Sequence, residues 1–174
     1  MLRVIREENT ICVPKLIDVY EDAMYLSIVM EFKDSPNLLF WLKEKHLLMT
    51  EQQVKLIFYQ LCISIARLHE LGIVHRDLKL ENILIDDTVT PPKPFLIDFG
   101  LSKVFMTEQY STDPYGTLAY CSPEIVLRRK HNRTTDVWSM GVILYIMLSH
   151  RMPFLSNEND SLTKHNILNK EINL

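Results

Sequence analysis

The stretch HRDLKLEN, residues 75–82, decides how this chain is read. A long helical pattern precedes it, and the apolar run Ile83-Leu84-Ile85 follows it. Sixteen residues after Asn82 comes Asp98-Phe99-Gly100. This spacing places Asp77, Asn82 and Asp98 on loops beside strands. Three oxygen-bearing groups so placed suit a site that orients a hydroxyl and holds a divalent cation on phosphates.

Working outward, the helical pattern before the loop has apolar residues at Val54, Ile57, Phe58, Leu61, Ile65 and Leu68, the spacing of one helix face. Thr50 and Gln53 form a capping-box pair, and Gly72 is a left-handed stop. The spacing predicts a helix over 50–71. Further back, 15–21 and 25–32 are rich in Ile, Val, Leu and Tyr and are separated by Glu21-Asp22. They are expected to be two strands joined by a turn, followed by a short amphipathic helix over 37–45. Residues 1–9 read as the end of a helix.

On the other side, Ile83–Ile85 and 95–97 are expected strands, with three prolines in the turn between them. Residues 100–122 show little periodicity and include Ser102, Thr107, Tyr110, Ser111, Thr112, Tyr115 and Thr117, as a regulated loop would. The run VWSMGVILYIML, residues 137–148, is apolar on nearly every face. It predicts a helix, capped by Thr134 or Thr135, in the middle of a helical layer. From Pro153 onward the chain turns polar.

The chain has 174 residues, 47% hydrophobic and 24% charged, with a formal net charge of -3. That is enough for a real core. No Lys/Arg block points to nucleic acid or a membrane surface, and the 137–148 run is too short to span a bilayer. Cys12, Cys62 and Cys121 are far apart and are expected to be free thiols. No apolar leader opens the chain, so a cytoplasmic protein is expected, with the nucleus as a second setting.

HRDLKLEN, DFG at 98–100, GTLAYCSPE at 116–124 and DVWSMG at 136–141 stand together in one order. In these motifs the chain resembles the eukaryotic protein kinases, and within them the serine/threonine branch that includes the calcium/calmodulin-dependent and related kinases. The resemblance implies an α+β, two-lobed fold present in part: residues 1–33 as the end of the small lobe and hinge, and 34–174 as the first part of the helical large lobe. It implies transfer of the ATP γ-phosphate to a serine or threonine hydroxyl of a protein substrate, with ATP and Mg²⁺ as cofactors. No nucleic-acid or membrane partner is implied. An upstream activating kinase, or autophosphorylation, is.

Carried onto this sequence, the resemblance makes Asp77 the acceptor of the hydroxyl proton and Lys79 the cation that steadies the transferred phosphoryl group. Lys79 also favours serine/threonine over tyrosine substrates. Asn82 and Asp98 become the oxygen ligands of Mg²⁺. Met30, Glu31, Phe32 and Lys33 align with the gatekeeper and hinge; the carbonyl of Glu31 and the N–H of Lys33 would bond adenine above Leu84. His75 and Asp136 are structural supports. Arg76 is expected to receive a phosphate carried by Ser111 or Thr112. Thr117 is expected to make fixed contacts to Asp77 and Lys79. Glu81 is a candidate reader of a basic substrate residue, although Asn37 stands where several basic-directed kinases carry glutamate.

The sequence departs from the family in two motif positions, Leu80 for proline and Ser122 for alanine. It also contains no Gly-rich GxGxxG loop and no strand lysine, and the alignment puts the glutamate that pairs with that lysine near Met1. Ile5 and Leu16 fit the column that packs behind Phe99. The partner arginine of Glu124 and the later large-lobe helices lie past Leu174. Residues 1–174 alone are therefore expected to be marginally folded. The alternative to an active enzyme is a kinase-like binding module without catalysis.

Overall fold

The computed structural model describes residues 12–44, 49–105 and 109–172. The expected helix end at 1–9 and the Ile5 contact lie outside these residues.

The chain enters through β1 (Leu16–Glu21) and β2 (Leu26–Met30), an antiparallel pair with an irregularity between Leu16 and Asp18. Its turn is built by Asp22. Oδ1 accepts the N–H groups of Met24 and Tyr25 at 2.7 and 2.8 Å, a local bond that competes with any extension of the strand. The pair carries much uncovered apolar surface. Ile17, Tyr20, Tyr25 and Leu26 are each more than half exposed, and Phe32 beyond them is 84% exposed.

Next come α1 (Leu38–Glu44) and α2 (Glu51–Glu70). At the start of α2 the capping box forms as predicted. Gln53 N–H donates to the Thr50 hydroxyl at 3.3 Å, and Thr50 N–H donates to the Gln53 side chain at 2.8 Å. Gly72 closes the helix with φ +74; a Cβ there would lie 2.8 Å from the Phe105 carbonyl oxygen, so only glycine fits. The apolar stripe of α2 is buried through Val54, Ile57, Leu61, Ile65 and Leu68, while Phe58 packs at its margin.

Two further small sheets flank the decisive loop. β3 (Ile73–Val74) pairs with β6 (Lys103–Val104), and β4 (Ile83–Asp86) pairs with β5 (Lys93–Leu96). Pairs of two residues are too short to leave a pattern in the sequence, which is why β3 and β6 were not expected. Ile83, Ile85 and Leu96 are fully buried. They anchor both ends of the loop region to the core.

A one-turn α3 (Pro123–Val126) leads to α4 (Thr134–Ser149), which packs against α2. Neither Thr134 nor Thr135 caps α4. The cap residue is Arg133, which gives no side-chain cap bond; Asn132, just before it, accepts Thr134 N–H through Oδ1 at 3.0 Å. Nor is α4 enclosed on all sides. Met140, Ile143 and Met147 are buried, but Val137 and Leu148 are exposed. An open apolar groove runs beside Trp138, Leu144, Tyr145 and Phe154. A helix not foreseen, α5 (Asp160–Asn169), follows. It is capped by Asn159, whose Oδ1 accepts Leu162 N–H at 2.8 Å. Only Thr163 and Ile167 are buried on it, too few apolar anchors for a visible period.

Candidate active site

Residues 75–82 leave β3 and return at β4, held from beneath by α4. Asp136, 1% exposed, accepts His75 N–H through Oδ2 and Arg76 N–H through Oδ1, each at 2.9 Å. His69 Nε2 lies 2.9 Å from the same Oδ2. The two backbone bonds hold Arg76 at φ +67, a conformation unfavourable for a side chain larger than glycine. Burial keeps His75 below its ordinary pKa and therefore neutral, against the pull of Asp136. Its Nε2 faces the Ile97 carbonyl at 3.2 Å and its Nδ1 accepts Asp77 N–H at 3.4 Å. A carbonyl needs a donor, so the proton sits on Nε2. Phe99 packs on this ring at 4.9 Å between centroids. His75 is thus a support between the 75–82 loop and the 98–100 turn, as expected.

Asp77 is 8% exposed, and all its acceptor positions are used. Oδ1 accepts the N–H and the hydroxyl of Thr117 at 3.0 and 2.8 Å. Oδ2 accepts Asn82 Nδ2 at 3.2 Å and pairs with Lys79 Nζ at 2.8 Å. Lys79 also donates to the Thr117 hydroxyl at 3.0 Å. Burial pushes the Asp77 carboxyl up. The hydrogen bonds and charge of Lys79, with the two bonds from Thr117, outweigh it, so the pKa lies below the ordinary carboxylate value. The group is ionised at neutral pH, as an acceptor of a hydroxyl proton must be. Three of the expected residues, Asp77, Lys79 and Thr117, are therefore in direct contact.

Asn82 spends its amide N–H groups on the Asp77 carbonyl, at 2.9 Å, and on the Asp77 carboxylate. Its Oδ1 accepts no hydrogen bond among the described residues and is a hard oxygen available to a cation. Asp98 stands at φ +61 and is exposed; among the described residues its carboxylate accepts only the nearby Gly100 N–H, on Oδ1 at 3.1 Å. One amide oxygen and one open carboxylate fit Mg²⁺, which fills its shell with water and phosphate. On the other side of Leu84, Lys33 Nζ pairs with Glu31 at 2.6 Å and lies 4.4 Å from the Phe95 ring centroid. The side chains of Glu31 and Lys33 are thus occupied with each other. Leu84 is half-buried, paired with Phe95 and bridged to Asn37.

A sequence model described as the protein kinase domain matches residues 2–173. The chain belongs to the protein kinase family. Among curated relatives of this kinase domain are the hormonally up-regulated neu tumor-associated kinase homologs B and A of Xenopus laevis. Each is 38% identical over 156 residues, covering 87% of this chain and 24% and 21% of the respective relative. The corresponding homolog of Xenopus tropicalis is 36% identical over 156 residues, 87% of this chain and 21% of the relative. The chain thus spans about a quarter or less of the length of these relatives. Its three small sheets and the helices that follow are those of a partial two-lobed α+β kinase fold.

In this kinase domain Arg76 already has an anionic partner. Nη1 lies 3.3 Å from Asp113 Oδ2, Nε donates to the Leu101 carbonyl at 2.6 Å, and the guanidinium stacks 5.0 Å from the Tyr115 ring centroid. Ser111 is buried and Thr112 is exposed. Asp113, Lys103 and Tyr115 were not singled out from the sequence. An acid in a loop without periodicity gives no signal of its own, and only the fold brings it to Arg76.

Proposed function

We propose that this domain is the catalytic part of a protein serine/threonine kinase that transfers the γ-phosphate of ATP to a protein hydroxyl. The observation that carries the reading is the contact triangle of Asp77, Lys79 and Thr117 beside the unspent oxygen of Asn82. The Asp77 carboxylate orients the incoming hydroxyl and takes its proton. Lys79, 2.8 Å from that carboxylate, is placed to steady charge on the group in transfer. Since every acceptor position of Asp77 is filled, a substrate hydroxyl enters by displacing one donor; the Thr117 hydroxyl is the like-for-like exchange.

Asn82 and Asp98 would hold Mg²⁺, and Mg²⁺ bound there supplies charge neutralisation on the phosphates. Adenine would sit above Leu84, bonded by the backbone of Glu31 and Lys33 next to Met30. Residues 1–33 are read as small lobe and hinge, and 34–174 as large lobe. Glu81, half-buried beside the Tyr120 hydroxyl, is the candidate reader of an arginine near the substrate hydroxyl. A cytoplasmic or nuclear setting belongs to the same proposal. The three cysteines are free thiols, and no helix among the described residues is long and apolar enough to cross a membrane.

The test is phosphate transfer from ATP to serine, threonine and tyrosine peptides by the full-length protein. Transfer to serine or threonine is expected, with Asp77→Asn lowering kcat by about 10³-fold, the scale of a lost positioned base. Transfer unchanged in Asp77→Asn would overturn the mechanism. Absence of any transfer, with nucleotide or partner binding retained, would favour the binding-module reading.

A further inference from the structure

We propose that Asp113 is the built-in anion for Arg76, a positioning residue that latches residues 109–117 over the catalytic loop without any phosphate on the chain. The inference rests on the kinase reading above and extends it to how the site is kept in order.

Three donors converge on one oxygen. Asp113 Oδ2 accepts the Ser111 hydroxyl at 2.7 Å and lies 3.3 Å from both Arg76 Nη1 and Lys103 Nζ. The two cations come from different segments, one from the 75–82 loop and one from β6. Asp113 N–H returns a bond to the Ser111 hydroxyl at 3.1 Å. Ser111 is in turn fixed to His131 by two backbone bonds of 2.9 Å, one in each direction. The loop is thereby pinned at Asp113 and two residues before it.

From there the chain reaches the chemistry in four residues. Tyr115 covers the Arg76 guanidinium. Gly116, at φ +118, passes so close that a Cβ would lie 2.9 Å from the Arg76 carbonyl oxygen. Thr117 then closes on Asp77. Arg76 cannot swing away, because Asp136 fixes its backbone and its side chain is 8% exposed. With the cation immobile, the position of the anion sets the position of the loop.

Asp113 itself is 41% exposed, so each ion pair alone is weak and screened. What gives the contact leverage is convergence: losing the carboxylate strands two cations and a hydroxyl at once. The same geometry leaves little room for a phosphate on Ser111. The Ser111 hydroxyl already donates to Asp113, and a phosphate there would place like charges in contact.

The experiment uses the full-length protein, phosphatase-treated, as wild type, Asp113→Asn and Asp113→Glu. Two readouts are taken: peptide phosphorylation and the rate of chymotryptic cleavage within 109–117, at the exposed Tyr110 and Tyr115. Wild type is expected to keep its activity after phosphatase treatment. Asp113→Asn is expected to lower kcat/KM for peptide about tenfold, the scale of a charge-assisted contact partly screened by water, while KM for ATP stays unchanged. It is also expected to be cleaved faster. Asp113→Glu should recover most of both. Loss of wild-type activity on phosphatase treatment, or an Asn variant indistinguishable from the Glu variant in both readouts, overturns the latch. If no version transfers phosphate, the kinase reading fails by itself; faster cleavage of Asp113→Asn than of Asp113→Glu then still supports the latch, and equal cleavage overturns it.

Discussion

Two carboxylates of the site live in opposite surroundings. Asp77 is enclosed and accepts four contacts from Thr117, Asn82 and Lys79, residues drawn from the loop and from 40 positions away. Asp98 is exposed and accepts one local bond from Gly100. The difference follows the surfaces around them. Asp77 sits on a loop anchored in the core by the buried Leu78, Leu80 and Ile83, whereas Asp98 stands on a turn where it and Gly100 are both exposed. The hydroxyl-side half of the site is pre-organised by the fold. The candidate metal-side half pairs a buried amide, Asn82, with a carboxylate open to solvent, Asp98.

The sharpest way to break this contrast is from below. Asp136→Ala leaves the N–H groups of His75 and Arg76 and the His69 ring without their buried acceptor. In the full-length protein it is expected to destabilise the domain by about 3–5 kcal/mol, as removal of a buried charged partner does, measured by urea unfolding. A loss under about 1 kcal/mol would mean that the loop is held by something other than Asp136.

A smaller effect is expected at Asp77 itself. Lys79→Met removes the strongest force holding its carboxyl down, while burial still pushes up. The base must be ionised to work, so activity fails as pH falls through its pKa. In wild type that acid limb lies below the ordinary carboxylate range; in Lys79→Met it should move to higher pH, with kcat about 10- to 100-fold lower. Thr117→Ala should move the limb in the same direction. A limb that stays in place in both variants would show that neither residue tunes Asp77.

The smallest expected effect is on the open side. Asp98→Asn should leave stability within about 0.5 kcal/mol of the parent, as surface changes do, while Mg²⁺-dependent nucleotide binding is lost. A large stability loss would show that Asp98 is structural and would erase the contrast.

Much of this was legible in the residues. The α2 stripe and its capping box, Gly72, the strands around residue 84 and the triad Asp77, Asn82, Asp98 all follow from local chemistry or from motif resemblance. The Thr117 contact to Asp77 and Lys79 was expected and is present. Other elements left no local trace. β3 and β6 are two residues each, and α5 buries only Thr163 and Ile167. The cap position of α4 is Arg133, one residue before the two threonines considered, and Asn132 ahead of it takes the Thr134 N–H. The apolar α4 promised enclosure, yet one flank is open, because periodicity reports what a helix can bury and not what stands beside it.

By itself, then, the sequence marked out the candidate reacting groups and the main helices and strands beside them, since caps, periods and motifs act over a few residues. Only the tertiary structure decided the state of those groups. The low pKa of Asp77, the neutral His75 and the pairing of Arg76 with Asp113 each depend on residues between 2 and 61 positions apart. Charge and burial are set by what lies near in space, and no local pattern records that.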